Sequence, residues 1–208
     1  MYIPPAFRDD DTASLHAVIK ASRLANLITA TDEGLVGTPL PLFLDDSEGE
    51  FGTLYGHVAR ANPQWSLQPT SDALAIFMGP DAYITPSWYQ TKQETGKVVP
   101  TWNYVAVHAY GEIEFFDDAD RLREVVTRLT DLHETGRADP WAVSDAPAEY
   151  LRSQLKGIVG LRLPITRLDG KKKMSQNRNA ADRQGVAQGL AQSANPVDQH
   201  VAKLIPKG

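Results

Sequence analysis

Between positions 83 and 110 the sequence gathers Tyr83, Ser87, Trp88, Tyr89, Trp102, Tyr104 and Tyr110, with Lys92 and Lys97 among them. Rings offer flat surfaces for stacking, and ammonium groups offer charge to an anion. The mixture suits a planar heteroaromatic ligand with a phosphate tail, because ligand pockets join aromatic walls to a few convergent polar groups. It equally suits a seam between subunits, where tyrosine and tryptophan are enriched. Residue types alone leave the two readings level.

Other chemistries lack their residues. There are no cysteines, so disulfides, thiolate metal sites and thiol nucleophiles are excluded. His16, His57, His108, His133 and His200 show no close metal-ligand spacing, and no metal is expected. No G-x-G-x-x-G, Walker or G-x-S-x-G pattern occurs. The net charge of −5 opposes broad nucleic-acid binding, which depends on neutralising phosphates. Lys171-Lys172-Lys173 is the one basic run, and a solvated turn is its bland reading. The start, Met1-Tyr2-Ile3-Pro4-Pro5, lacks a signal peptide's basic and apolar regions, and no apolar run suits a membrane span. A cytoplasmic location is the expectation.

The elements that must position these residues follow from periodicity. Asp9-Asp10-Asp11 before Leu15, Val18 and Ile19 predicts a capped helix. Leu24 to Thr31 and Leu35 to Leu44 predict a hairpin whose second strand, carrying Pro39 and Pro41, lies at an edge or is bulged. Phe51 to Val58 and Ala73 to Met78 read as strands, and Gly79 to Pro100 as a long irregular stretch of functional character. Trp102 to Phe116 reads as one strand. One face carries Val105, Val107, Ala109, Ile113 and Phe115, and the other Trp102, Tyr104, Ala106, His108, Tyr110, Glu112 and Glu114. Helices are expected over 118–134, 147–155 and 180–190, the last diluted by Gly185 and Gly189, and after the Asn195-Pro196 cap. Ile158 to Leu168 is a further strand, and Trp65 and Trp141 are expected in the core. Short strands with helices at the start, late middle and end point to an α+β protein on an antiparallel sheet or barrel.

Several segments resemble the PaiB-type FMN-binding transcriptional regulator family. They are Met1 to Phe7, Gly56 to Trp65 (GHVARANPQW), Gly79 to Gly111 (GPDAYITPSWYQTKQETGKVVPTWNYVAVHAYG), Pro140 to Pro147 and Lys173 to Arg178 (KMSQNR). In order, they cover roughly residues 1 to 190. The resemblance implies an FMN-binding split β-barrel, antiparallel and Greek-key-like with flanking helices, over residues 1–192, with a helical extension at 193–208. It implies a homodimer with FMN in a groove at its interface, and a role as a negative transcriptional regulator. A flavin-dependent oxidoreductase and a haem-binding split barrel with His108 as ligand are the alternatives. Two positions depart from the family pattern: Pro39 and Asp81 stand where it has histidine.

On this reading Arg60, Lys92, Lys173 and Arg178 are candidate phosphate partners, aided by Ser175 and Gln176. Trp88, Tyr89 and Trp102 are candidates for the flavin wall, with Thr101, Asn103 and His57 at the polar ring edge. Structural alternatives stand beside these: Arg60 pairing with a carboxylate, and Asn177 capping the next helix. No helix-turn-helix spacing is evident, so regulation through DNA or through a protein partner both stay open.

Overall fold

The computed structural model describes residues 1–22 and 24–207, so the last residue of the expected extension, Gly208, lies outside the described residues. The elements in order are β1 (Arg8–Asp9), α1 (Thr12–Ala21), β2 (Ala25–Thr31), β3 (Gly34–Leu40), β4 (Leu42–Asp45), β5 (Thr53–Ala59), β6 (Ala73–Ile84) and α2 (Gln90–Thr95). They continue as β7 (Thr101–Gly111), β8 (Glu114–Phe116), α3 (Ala119–Glu134), α4 (Ala148–Leu155), β9 (Ile158–Pro164), β10 (Arg167–Lys173), α5 (Ala180–Ala191) and α6 (Pro196–Leu204). By contacts the chain divides into two compact units, Met1–Val18 with Met78–Val107 and Asp169–Gly208, and Ile19–Phe77 with His108–Leu168. The long strands β6 and β7 contribute residues to both.

In the unit of Ile19–Phe77 and His108–Leu168, β2 and β3 form the expected hairpin, in register from Ala25↔Leu40 to Thr31↔Gly34. Gly34 takes a φ of 114° that other residues resist, and its carbonyl accepts a bond from Thr31 Oγ1 at 2.9 Å. β2 pairs on its other side with the start of β6, leaving β3 at the edge, and the strand ends before Pro41. This is where prolines that cannot donate to a ladder are tolerated. A four-stranded antiparallel sheet runs β4-β5-β9-β8. Leu122, Val125 and Leu129 of α3 pack with Phe43, Phe116 and Leu155, each large apolar side chain contributing about 1.5–3 kcal/mol. Asp118 caps α3 by accepting from Arg121 N at 2.9 Å.

In the other unit β1, β10, β7 and β6 are successive neighbours. Ala82, Ile84, Tyr89, Val105 and Met174 form a core with Val186 and Leu190 of α5, Val201 of α6 and Ile205. Asn195 caps α6, as its sequence predicts. Asp182, only 1% exposed, accepts from Thr91 N and Thr91 Oγ1, both at 2.9 Å, and so ties α5 to α2. Asp182→Asn keeps the shape but removes the charge behind both bonds. It is expected to cost about 1–2 kcal/mol, read by urea unfolding.

Several expectations need correction. Gly79 to Pro100 is mostly regular: β6 continues to Ile84, a 3-10 turn covers Pro86–Trp88, and α2 follows. The buried side chains of β6 change from odd positions (Ala73, Ala75, Phe77) to even ones (Ala82, Ile84) across Gly79-Pro80, which hides the strand from a period-two reading. The strand expected over 102–116 breaks at Glu112-Ile113, so the buried residue of β8 is Phe116 rather than Phe115. The lysine run is not a turn. It ends β10, with Lys171 only 8% exposed. Trp141 is exposed and Trp65 only half-buried. The residue capping α5 is Asn179, not Asn177. Among the described residues no helix is long and apolar enough to cross a membrane.

Candidate functional site

The unit that holds β10 brings three cations close together. Lys171 and Lys173 are two apart on β10, so their side chains leave the same face of the strand. Arg178 follows a turn in which Ser175 adopts φ 61°, a left-handed conformation rare outside glycine, closed by Arg178 N donating to Ser175 O at 2.9 Å. Lys173 Nζ bonds Thr101 Oγ1 and, at 2.6 Å, Trp102 O. Lys171 Nζ donates to Tyr2 O at 3.1 Å and lies 5.1 Å from the centre of the Tyr104 ring. The Arg178 guanidinium sits 4.6 Å from the centre of the Tyr89 ring.

None of the three pairs with a carboxylate among the described residues. Burial first, then the positive Lys171 and Arg178, push Lys173 below the ordinary lysine value of 10.5. An anion placed beside Lys173 would ease this cost of holding its charge. The site has charge for a phosphate and rings for a planar group, and the residues therefore fit FMN.

The predicted site residues separate into distinct roles. Thr101, Trp102, Lys173 and Arg178 cluster at the cations, with Trp102 54% exposed. Asn103 and Ser175 are buried and bond each other, Asn103 Nδ2 to Ser175 Oγ at 2.9 Å, bracing β7 against the turn after β10. Gln176 folds back to accept from Met174 N at 2.6 Å and donate to Lys172 O, shaping that turn. Tyr89 is 1% exposed and belongs to the core, its phenol beside the Arg178 guanidinium. Burial raises this phenol, while the Arg178 charge opposes the rise. Trp88 is half-buried under α5, and Lys92 is exposed, donating to Ser87 Oγ at 3.1 Å.

His57 and Arg60 belong to the other unit. Arg60 is engaged as its structural alternative foresees: it donates to Lys156 O at 2.8 Å and Ile158 O at 3.1 Å and stands 3.7 Å from Asp117 Oδ2. His57 lies on β5 opposite Gly160, its Nδ1 buried without a partner. Burial lowers its pKa from 6.5. Between that lowered native value and 6.5 the unfolded chain binds more protons, so stability rises with pH through this window. Wild type is thus expected to lose stability as pH falls below about 6.5. His57→Gln removes that part of the slope, measurable in urea titrations at a series of pH values.

Reasoning from sequence missed Lys171, Asp182 and Thr91. The alternation of Lys171 with Lys173 was the available signal, since two cations at i and i+2 share one face of a strand.

Comparison with known proteins shows the family to which the chain belongs. The family model described as "Putative FMN-binding domain" matches residues 1–167. The chain is 32% identical over 206 residues to Protease synthase and sporulation protein PAI 2 of Bacillus subtilis (strain 168), covering 99% of this chain and 96% of that one. Among solved structures it is similar to the FAD and heme binding protein of Mycobacterium smegmatis, with TM-score 0.59, 16% identity, and 80% and 73% of the two chains covered. It is also similar to the flavocytochrome Anf3 of Azotobacter vinelandii, with TM-score 0.55, 16% identity, and 80% and 68% covered. The fold is the α+β split β-barrel of flavin-binding proteins. By the length and strength of these matches, the chain belongs to the PaiB-type family of FMN-binding-domain proteins.

Proposed function

We propose that this protein binds FMN, with the phosphate on Lys173 and Arg178 and the ring system along the exposed side of Trp102, and that it acts as a homodimeric negative transcriptional regulator. The observation that carries the flavin reading is the cluster of Lys171, Lys173 and Arg178, left without a carboxylate and beside aromatic rings in an FMN-binding-domain family. Bound FMN would supply redox and light-absorbing chemistry. The chain's own part is to hold the phosphate, orient the ring and fix Lys173 on the Thr101 hydroxyl and the Trp102 carbonyl.

The regulatory reading draws on the similarity to a protein named for protease synthesis and sporulation. Lys171 is buried and Lys173 half-buried, so the lysine run offers little footing for DNA phosphates. A regulator built this way works through a protein partner, with flavin occupancy as its signal. Two copies per functional unit are what the family resemblance implies. The test is a titration of purified protein with FMN, following flavin absorbance, with light scattering of the same sample. Saturable binding to a dimer is expected. A monomer, or no change at tens of micromolar FMN, contradicts the proposal.

A further inference from the structure

The unit that carries the cations also holds a recess of opposite character. It is an open recess of about 740 Å³ between the outer side of β6, Trp102 of β7 and the α5–α6 hairpin. The residues that give it chemistry are Asp81, Tyr83, Trp88, Trp102, Asn195 and Asp198. Among the described residues no lysine, arginine or histidine lines it. Three other recesses, at Arg60, at Arg183 and at Arg121, are each lined by at least one cation.

Three rings, of Tyr83, Trp88 and Trp102, line it. Tyr83 and Trp102 contact edge to face, with centroids 5.9 Å apart and planes at 68°, and stand 48% and 54% exposed. Their π faces are electron-rich, which favours a cation over a neutral or anionic guest. The carboxylates add to that preference. Asp81 is exposed on the outward positions of β6 and makes no hydrogen bond or ion pair among the described residues. Asp198 commits Oδ2 to the Ser193 hydroxyl at 2.6 Å, which fixes the carboxylate at the α5–α6 turn. Trp88 is held in place by α5, whose Gly185 and Gly189 lie against it.

From this arrangement we infer that the recess binds a small organic ammonium ion, an alkylated or methylated amine, with the cation against the indole faces and Asp81 as its counter-ion. The volume lies in the range of small-molecule sites. Its sign separates it from the phosphate cluster: an anion that suits Lys173 is repelled by Asp81 and Asp198. Trp102 also belongs to the proposed flavin wall, so the inference is read on the protein without FMN, where every residue it uses is positioned by the polypeptide alone.

Choline and 3,3-dimethyl-1-butanol test it, since the second keeps the shape and lacks the charge. Both are titrated by calorimetry into the full-length protein, with and without FMN, alongside Asp81→Asn and Glu94→Gln, an exposed carboxylate outside the recess. Saturable choline binding, about tenfold tighter than that of the neutral isostere, is expected. Asp81→Asn should weaken choline about fivefold, and Glu94→Gln should leave it unchanged. Four outcomes overturn the inference: equal binding of the isostere, an unaffected Asp81→Asn, an equal loss in Glu94→Gln, or no saturable choline binding because a second copy of the chain fills the recess. The protein without FMN reports on this recess even if flavin binding fails.

Discussion

Gly185→Ala is expected to lower the melting temperature by about 4–8 °C, although alanine is the better helix former. A Cβ at position 185 would fall 1.9 Å from the Trp88 carbonyl oxygen, far inside contact distance. That oxygen belongs to backbone at the end of a 3-10 turn, so no rotamer change relieves the collision. The gain in helix propensity is worth about 1 kcal/mol. Overpacking against fixed backbone costs about 3 kcal/mol, so the clash wins. Gly189→Ala meets the Trp88 indole at 2.3 Å, and a ring can shift where a carbonyl cannot. It should cost less stability but move the Trp88 fluorescence. Thermal melts followed by circular dichroism decide the matter. An unchanged or higher melting temperature in Gly185→Ala would show that α5 is not seated on Trp88.

Lys173→Met should weaken FMN about 10–100-fold and leave riboflavin within about twofold of wild type. The difference between the two ligands is the phosphate, and a charge-assisted bond to phosphate is what the substitution removes. Lys173 is lowered by burial and by its positive neighbours, so FMN affinity should hold near neutral pH. It should fall as pH rises through the lowered value toward 10.5 and the ammonium is lost. The same shift has a signed effect on folding. Between the lowered native value and 10.5 the unfolded chain holds more protons, so this group's strain is present at neutral pH and eases as pH rises. Lys173→Met without ligand should therefore unfold no more easily than the loss of its bonds to Thr101 and Trp102 requires. Equal weakening of FMN and riboflavin would move the phosphate elsewhere.

What the sequence made legible, and what it hid, follows physical lines. The β2–β3 hairpin, α3 and the Asn195 cap depend on near neighbours, so periodicity and capping residues located them. The KMSQNR resemblance singles out Lys173 and Arg178 as candidate phosphate partners, while Lys171 hides in a run of lysines that ordinarily marks a solvated turn. β6 was lost beyond Met78 because Gly79-Pro80 looks like a breaker and its buried positions change parity there. Gly185 and Gly189 read as weaknesses in a helix, when each makes room for a tryptophan about a hundred positions away. Tyr89 and Asn103 were assigned outward roles from their chemistry, but side-chain type does not reveal that both are enclosed. In each case the missing information was a long-range contact.

The most direct measurement is a crystal structure of the protein grown with excess FMN. The phosphate should lie within hydrogen-bonding distance of Lys173 Nζ and the Arg178 guanidinium, with Lys173 turned from the Trp102 carbonyl or sharing it. A flavin whose phosphate rests on other residues, with Lys173 and Arg178 still facing no anion, would contradict the account.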